Sequence, residues 1–212
     1  MKKRLFSIFY MFLLTLFFTS VVSAVKLYNE ERIAMNQEVK LLRIVLHVLG
    51  IAVQEGASPQ ALSQVFSERV KEIAVKERPL YIGYAENGET ITGYAFPVGG
   101  QGFWGPISGL AAVDPSATRL LGVAFFKHSE TPGLGARITE AWFTKQFEGL
   151  SLDPIAGEQK IFYLKAAGTG QAANELDAVT GATGTSRAVE SFLNRELDHF
   201  LKGIWPEVKK KR

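Results

Sequence analysis

"LYIGYAENGETITGYAFPV", residues 80–98, decides how the rest of the chain is read. Two short runs rich in aromatic and β-branched residues flank Asn87-Gly88, a dipeptide that tolerates the positive φ of a tight turn. The stretch predicts a β-hairpin. Downstream, residues 110–113 and 120–127 read as further strands around an Asp114-Pro115 turn. Upstream the period changes. Met35, Val39, Leu42, Leu46 and Leu49 recur in steps of three or four, which predicts a helix over 28–49 closed by Gly50. Ser58-Pro59 supplies an N-cap and a proline at the first helical position, opening a helix through Leu62, Val65, Phe66, Val70 and Ile73. Toward the C-terminus a helix is predicted over 139–147, a strand over 160–165 and a last helix over 186–201. That last helix carries Val189, Phe192, Leu193, Leu197 and Phe200 on one face. Helices, then meandering strands, then a final helix imply an α+β fold with a mainly antiparallel sheet flanked by helices.

Composition narrows the chemistry. The 212 residues are 47% hydrophobic and 21% charged, a foldable balance for one domain with appendages. Net charge is +3, and Lys209, Lys210, Lys211 and Arg212 alone contribute four positive charges, so the body is near neutral. A solvated basic tail explains this better than a nucleic-acid surface, and no nucleic-acid partner is expected. There is no cysteine. Disulfides, thiolate catalysis, iron–sulfur ligation and cysteine-based zinc sites are excluded, so redox chemistry would need a bound organic cofactor or another subunit. No metal site is expected.

The N-terminus reads as a membrane element. After Lys2, Lys3 and Arg4, residues 5–25 contain no charge. At about 1.5 Å per residue this run spans roughly 30 Å, the thickness of a bilayer's hydrocarbon core. The preceding basic residues would keep the N-terminus in the cytoplasm and place the body on the extracytoplasmic side of the membrane, which in a bacterial cell is the periplasmic side of the inner membrane. Val22-Ser23-Ala24 resembles a signal-peptide cleavage site, but the run is longer than a usual h-region, which favours a retained anchor. The expected division is an anchor over 1–25, a helical lead over 26–78, the domain over 79–205 and a basic tail over 206–212. The uncharged span has no intramembrane ionisable group that could carry a cation.

Three glycine-rich stretches are candidate sites. Gly100-Gln101-Gly102-Phe103-Trp104-Gly105 satisfies G-x-G-x-x-G, but Pro106 and Gly109 oppose the helix that a dinucleotide fold needs next. It reads instead as a loop bringing backbone and the Phe103-Trp104 pair close to something flat or crowded. "HSETPGLGARI", residues 128–138, forms a tight turn at Pro132, Gly133 and Gly135. His128 and Glu130 there form a conceivable acid/base pair without a nucleophile. "LDAVTGATGTSRAVESFL", residues 176–193, crowds Thr180, Thr183, Thr185 and Ser186 around two glycines just ahead of a helix. Free amides and the helix dipole favour an anion there, with Arg187 adding positive charge. Plain capping by Thr185 or Ser186 is the competing reading. Neither a Walker A loop nor a G-x-S-x-G elbow is present.

Asp177-Ala178-Val179-Thr180-Gly181-Ala182-Thr183 resembles the D-x-x-[ST]-G-A-[ST] flavinylation motif of the FMN-binding domain family. That family includes the G subunit of Rnf-type electron transport complexes and the C subunit of Nqr-type sodium-translocating NADH:quinone oxidoreductases. "GQGFWGPISGLAAVD" and "ETPGLGARI" resemble two further family segments in the same order, and the N-terminal span with its long helix is similar too. The resemblance implies covalent FMN, attached by a flavin transferase through its phosphate to the Thr183 hydroxyl. It implies that Asp177, Thr180, Gly181 and Ala182 form the recognition and phosphate-cradling sequence. Thr131, Gly133, Leu134 and Gly135 would approach the flavin, and Trp104 and Lys165 would line its site. Thr185 and Ser186 are expected as caps of the helix behind. Arg137 departs from the family pattern, standing where an acidic residue is common.

The implied role is an electron carrier rather than an independent catalyst, with no catalytic residue of its own. It would work beside the other redox and membrane subunits of an Rnf- or Nqr-like ion-translocating complex. A stand-alone flavinylated carrier, a non-covalent anion- or flavin-binding module and a purely structural subunit are the alternatives.

Overall fold

A computed structural model describes residues 2–54, 56–155 and 160–210. The expected basic tail therefore extends beyond the described residues at 211 and 212. The chain falls into two units that part between Leu41 and Leu42.

The first unit contains helix α1 (Lys2–Tyr28) and the opening turns of α2 (Glu30–Val48). Lys3–Tyr28 is long and apolar enough to cross a membrane, and none of its most apolar window is buried against protein. Phe6, Met11, Phe17 and Val22 stand open on different sides of the helix. An apolar surface all round suits lipid rather than water.

The second unit is built on a five-stranded antiparallel sheet with strands in chain order. These are β1 (Val70–Val75), β2 (Arg78–Tyr84), β3 (Ile91–Gln101), β4 (Pro106–Val113) and β5 (Leu120–Lys127). The predicted hairpin joins β2 to β3. Asn87 Oδ1 accepts the amides of Glu89 and Thr90 at 3.1 and 3.0 Å, and Gly88 takes φ +70°. The β4–β5 turn hangs on Asp114, whose carboxylate accepts the Thr118 and Arg119 amides at 2.6 and 2.8 Å and the hydroxyls of Ser116 and Thr118. Partial burial opposes the charge on Asp114, but these bonds outweigh it and hold its carboxyl below the usual carboxylate range.

Helices cover both faces of the sheet. On one, α5 (Thr183–His199) lays Val189, Phe192, Leu193 and Leu197 against the sheet, all buried as the sequence pattern predicts. Phe200 stacks on Phe96 of β3 at 4.0 Å with the rings 3° from parallel. On the other face Leu49, just past α2, lies over Gly83 and Gly93 of neighbouring strands. A Cβ on Gly83 would meet Leu49 at 3.2 Å.

Several boundaries differ from expectation, each for a physical reason. Ser58 does cap α3 (Pro59–Arg69), its hydroxyl accepting the Ala61 amide at 3.2 Å, but the helix stops at Arg69. Val70 and Ile73 fit the helical spacing, yet they pair with Gly83 and Leu80 as strand β1. The predicted helix over 139–147 is broken into 3-10 turns around a short α4 (Ala141–Thr144). The strand expected over 160–165 shortens to β6 (Tyr163–Lys165), which pairs in parallel with β7 (Glu175–Asp177). Asn194 takes over the rest, its Oδ1 accepting the Ile161 and Phe162 amides at 2.7 and 3.3 Å. The last helix starts at Thr183 rather than residue 186, and it continues through a π-helical turn, Phe200–Ile204, into α6 (Trp205–Lys210).

Candidate functional site

The tip between β3 and β4, the turn after β5 and the start of α5 converge on one cleft of about 230 Å³. Two other clefts are larger, about 460 and 410 Å³, but their walls hold neither serine nor threonine and no helix start. The 230 Å³ cleft is lined by Phe103 and Trp104 from the tip, Glu130, Thr131, Leu134 and Gly135 from the turn, and residues 181–185 from the helix start.

Local chemistry explains each wall. Gly100 and Gly102 sit where a side chain would collide: a Cβ on Gly102 would lie 2.5 Å from Glu130 Oε1, and one on Gly100 2.5 Å from Phe192. The tip is thus pressed onto the helix and the turn, and no helix follows its G-x-G-x-x-G, as Pro106 foretold. Phe103 and Trp104 pack edge to face at 5.1 Å and remain 60% and 66% exposed. In the turn, Leu134 and Ala136 donate their amides to Thr131 O at 3.2 and 3.1 Å, with Gly133 at φ +73°.

At the helix start Gly181 takes φ +79° and Ala182 is the N-cap, with no side-chain bond. An alanine cap leaves the first-turn amides of Thr183, Gly184 and Thr185 without a capping partner on the helix itself. The four hydroxyls separate by burial. Thr180 and Thr183 are exposed, whereas Thr185 and Ser186 are 3% and 2% exposed. The expectation that Thr185 or Ser186 caps the helix is corrected here. Both lie inside the helix, Ser186 Oγ accepting the Val179 amide at 3.1 Å and Thr185 Oγ1 donating to Glu130 Oε2 at 2.5 Å. Thr183 is the exposed hydroxyl among the cleft residues of α5.

Of the residues singled out from sequence, Trp104, Thr131, Leu134, Gly135, Gly181, Ala182, Thr183 and Thr185 meet in the cleft. Gly133, Thr180 and Ser186 flank it without lining it. Asp177 is held in β7, its amide donating to Gln146 Oε1 at 2.6 Å and its Oδ1 accepting the Gly168 amide at 2.8 Å. Lys165 stands in β6, 3.6 Å from Glu175 and 5.0 Å from the Tyr163 ring centroid, and is not among the lining residues. Phe103, Glu130 and Gly184 also line the cleft; the sequence marked each within its own stretch but did not name them as flavin-site residues. Phe103 shares the Trp104 signal. Gly184 shares the glycine-rich signal of the helix start, and the structure adds that a Cβ there would run into the Phe103 ring. The role of Glu130 joins segments 26 and 55 residues away and leaves no local pattern.

Residues 102–198, the stretch that supplies every wall of this cleft, match the FMN-binding domain family. The resemblance carried by the three motifs is borne out. The C subunit of the Na(+)-translocating NADH-quinone reductase of Chlamydia trachomatis is 32% identical over 124 residues, covering 51% of this chain and 39% of that protein. Its namesake from Pseudomonas aeruginosa is 27% identical over 151 residues, covering 69% of this chain and 58% of that one. The chain thus spans less than two thirds of either relative's length. Among solved structures, the protein of the same name from Parabacteroides distasonis superposes with a TM-score of 0.66 at 23% identity, over 80% of this chain and 93% of the other. Shewanella oneidensis NqrC gives 0.64 at 20% identity, over 76% and 93%. These likenesses establish the fold, an α+β domain.

Proposed function

On the premise of that family match, we propose that the chain is a membrane-anchored electron-transfer flavoprotein carrying FMN through a phosphoester to Thr183. The observation that carries the proposal is the exposed residue Thr183 at the start of a 17-residue helix, inside a cleft walled by aromatic side chains.

The residues present fit FMN at its phosphate end. The uncapped amides of Thr183, Gly184 and Thr185 point along the axis of α5 toward the cleft side of its N-terminus, where the helix dipole favours negative charge. Arg187 is exposed in the following turn. Asp177, Thr180, Gly181 and Ala182 make the approach to Thr183 that the transferase would read. At about 230 Å³ the cleft is smaller than pockets that enclose a ligand, about 300–1,000 Å³, so much of a flavin would lie outside it against Trp104, Phe103 and Leu134. That exposure suits a carrier that must pass electrons between partners. Bound FMN supplies reversible one- and two-electron redox chemistry; the chain supplies position and surroundings.

The wider setting follows the relatives' names. We place the protein in an Nqr-type ion-translocating complex, with other redox and membrane subunits as electron partners and a flavin transferase for maturation. Residues 5–25 would anchor it in the inner membrane with residues 79–205 as the flavin domain on the periplasmic side. Lys165, paired with Glu175 outside the cleft lining, would act on the approach to Asp177 rather than on the phosphate itself.

Intact mass tests the central point. The chain co-expressed with a flavin transferase is expected to exceed its sequence mass by FMN less one water, since the ester removes the Thr183 hydroxyl hydrogen and one hydroxyl of the FMN phosphate. Thr183→Ala is expected to abolish the adduct and Thr183→Ser to retain it. Flavin that is present but released on denaturation would instead identify a non-covalent site. An adduct on Thr183→Ala protein would move the attachment to another residue.

A further inference from the structure

Glu130 is a carboxylate in an unusual place. Its residue is 4% exposed, and none of the ion pairs among the described residues includes it. Burying a carboxylate without a cation is unfavourable unless hydrogen bonds replace its water. Here two do. Oε1 accepts the Trp104 amide at 3.0 Å, and Oε2 accepts the Thr185 hydroxyl at 2.5 Å. One side chain therefore ties the β3–β4 tip to the first turn of α5 from the turn that follows β5. The glycines around it make room for it: a Cβ on Gly135 would lie 2.7 Å from Oε2 and 2.5 Å from the Thr185 hydroxyl.

We propose that Glu130 is a positioning residue, clamping the Phe103-Trp104 tip against the Thr183 turn so that the aromatic wall faces whatever Thr183 carries. The clamp rests on the reading of Thr183 as the flavin attachment point only in what it positions; its own geometry is independent of the flavin. Glu130→Gln keeps both links. The amide oxygen can accept from Trp104, and the amide nitrogen can donate to the Thr185 hydroxyl, which accepts as readily as it donates. Glu130→Ala removes both. Thr185→Val removes one and preserves shape.

Two measurements on the full chain separate the outcomes. In flavin-free protein, hydrogen exchange at the Trp104 amide is expected to accelerate at least about tenfold in Glu130→Ala, the effect of losing a hydrogen bond to a charged group. It should stay within about threefold of wild type in Glu130→Gln, while amides in the middle of β3 and β4 keep their protection in both. In flavin-loaded protein, iodide quenching of flavin fluorescence is expected to rise at least about twofold in Glu130→Ala and in Thr185→Val but not in Glu130→Gln, as the wall loosens. Unchanged Trp104 exchange in Glu130→Ala overturns the clamp, as does equal acceleration across the whole sheet, which marks a purely structural residue. Glu130→Gln behaving like Glu130→Ala overturns it too. If wild-type protein takes up no flavin, the attachment reading fails and the exchange measurement still decides the clamp. If Glu130→Ala does not fold, Thr185→Val, which breaks the link to α5 and keeps the Trp104 bond, must by itself raise iodide quenching of the flavin, or the proposal is wrong.

Discussion

The two ends of α5 are built in opposite ways. At the first, an alanine caps the helix without a side-chain bond, Gly181 and Gly184 keep bulk away, and Thr183 is exposed. At the other end the helix does not stop but runs on into packed structure. The chain runs through a π-helical turn into α6, Phe200 is fully buried against Phe96, and Trp205 packs edge to face on Tyr94 at 5.3 Å. Lys76 Nζ donates to Gly203 O at 2.9 Å across the same end. A helix held firmly at one end can leave the other unsatisfied, because the aromatic cluster carries its stability and the uncapped amides remain for a ligand.

Each end of α5 can be perturbed separately. The largest effect belongs to the aromatic end. Phe200→Ala is expected to lower unfolding free energy by about 3–5 kcal/mol in chemical denaturation, through lost burial and the cavity left behind. The folded fraction should still take the flavin adduct at Thr183. A loss below about 1 kcal/mol would mean the aromatic stack does not anchor the helix.

A smaller effect lies at the open end. Gly184→Ala gains up to about 1 kcal/mol of helix propensity, while its Cβ would run into the Phe103 ring and must push it aside. Stability is expected to hold within about 1 kcal/mol while the emission spectrum of the attached flavin shifts. An unshifted spectrum would place the Phe103 wall away from the flavin.

The smallest effect lies away from both ends and serves as a control. Asp114 titrates below the usual carboxylate range in the folded chain. Its stabilisation is therefore fully present above the unfolded-state value and fades as pH falls through that range toward the folded value. Melting temperature is expected to fall between about pH 5 and pH 2, less steeply in Asp114→Asn, with no change in flavin loading. An equal slope in both proteins would remove Asp114 from the acid response.

Much of this was legible in the sequence, and the failures share a cause. The Asn87-Gly88 hairpin, the Ser58-Pro59 helix start and the buried face of α5 are local patterns, and each appears as read. Val70 and Ile73 misled because helical spacing and strand propensity agreed on the same residues until β2 chose between them. Thr185 and Ser186 misled because their side chains turn to Glu130 and the Val179 amide, partners that helix-start chemistry alone does not reveal. The motif led to Thr183 from sequence, but its separation from its neighbours is a matter of burial. Glu130 was visible only as a possible acid, since its partners come from elsewhere in the chain.

The order of the sheet has a kinetic side. Each strand from β1 to β5 pairs with its neighbour in sequence, so the meander closes short loops and lies at the fast end of β-folding. The contact between Glu130 and Thr185 spans 55 residues, and that between Lys76 and Gly203 spans 127. Loop closure therefore favours the sheet before α5 settles on it. The three walls around Thr183 come together only with that late docking, so the finished cleft is itself a mark of a completed chain fold.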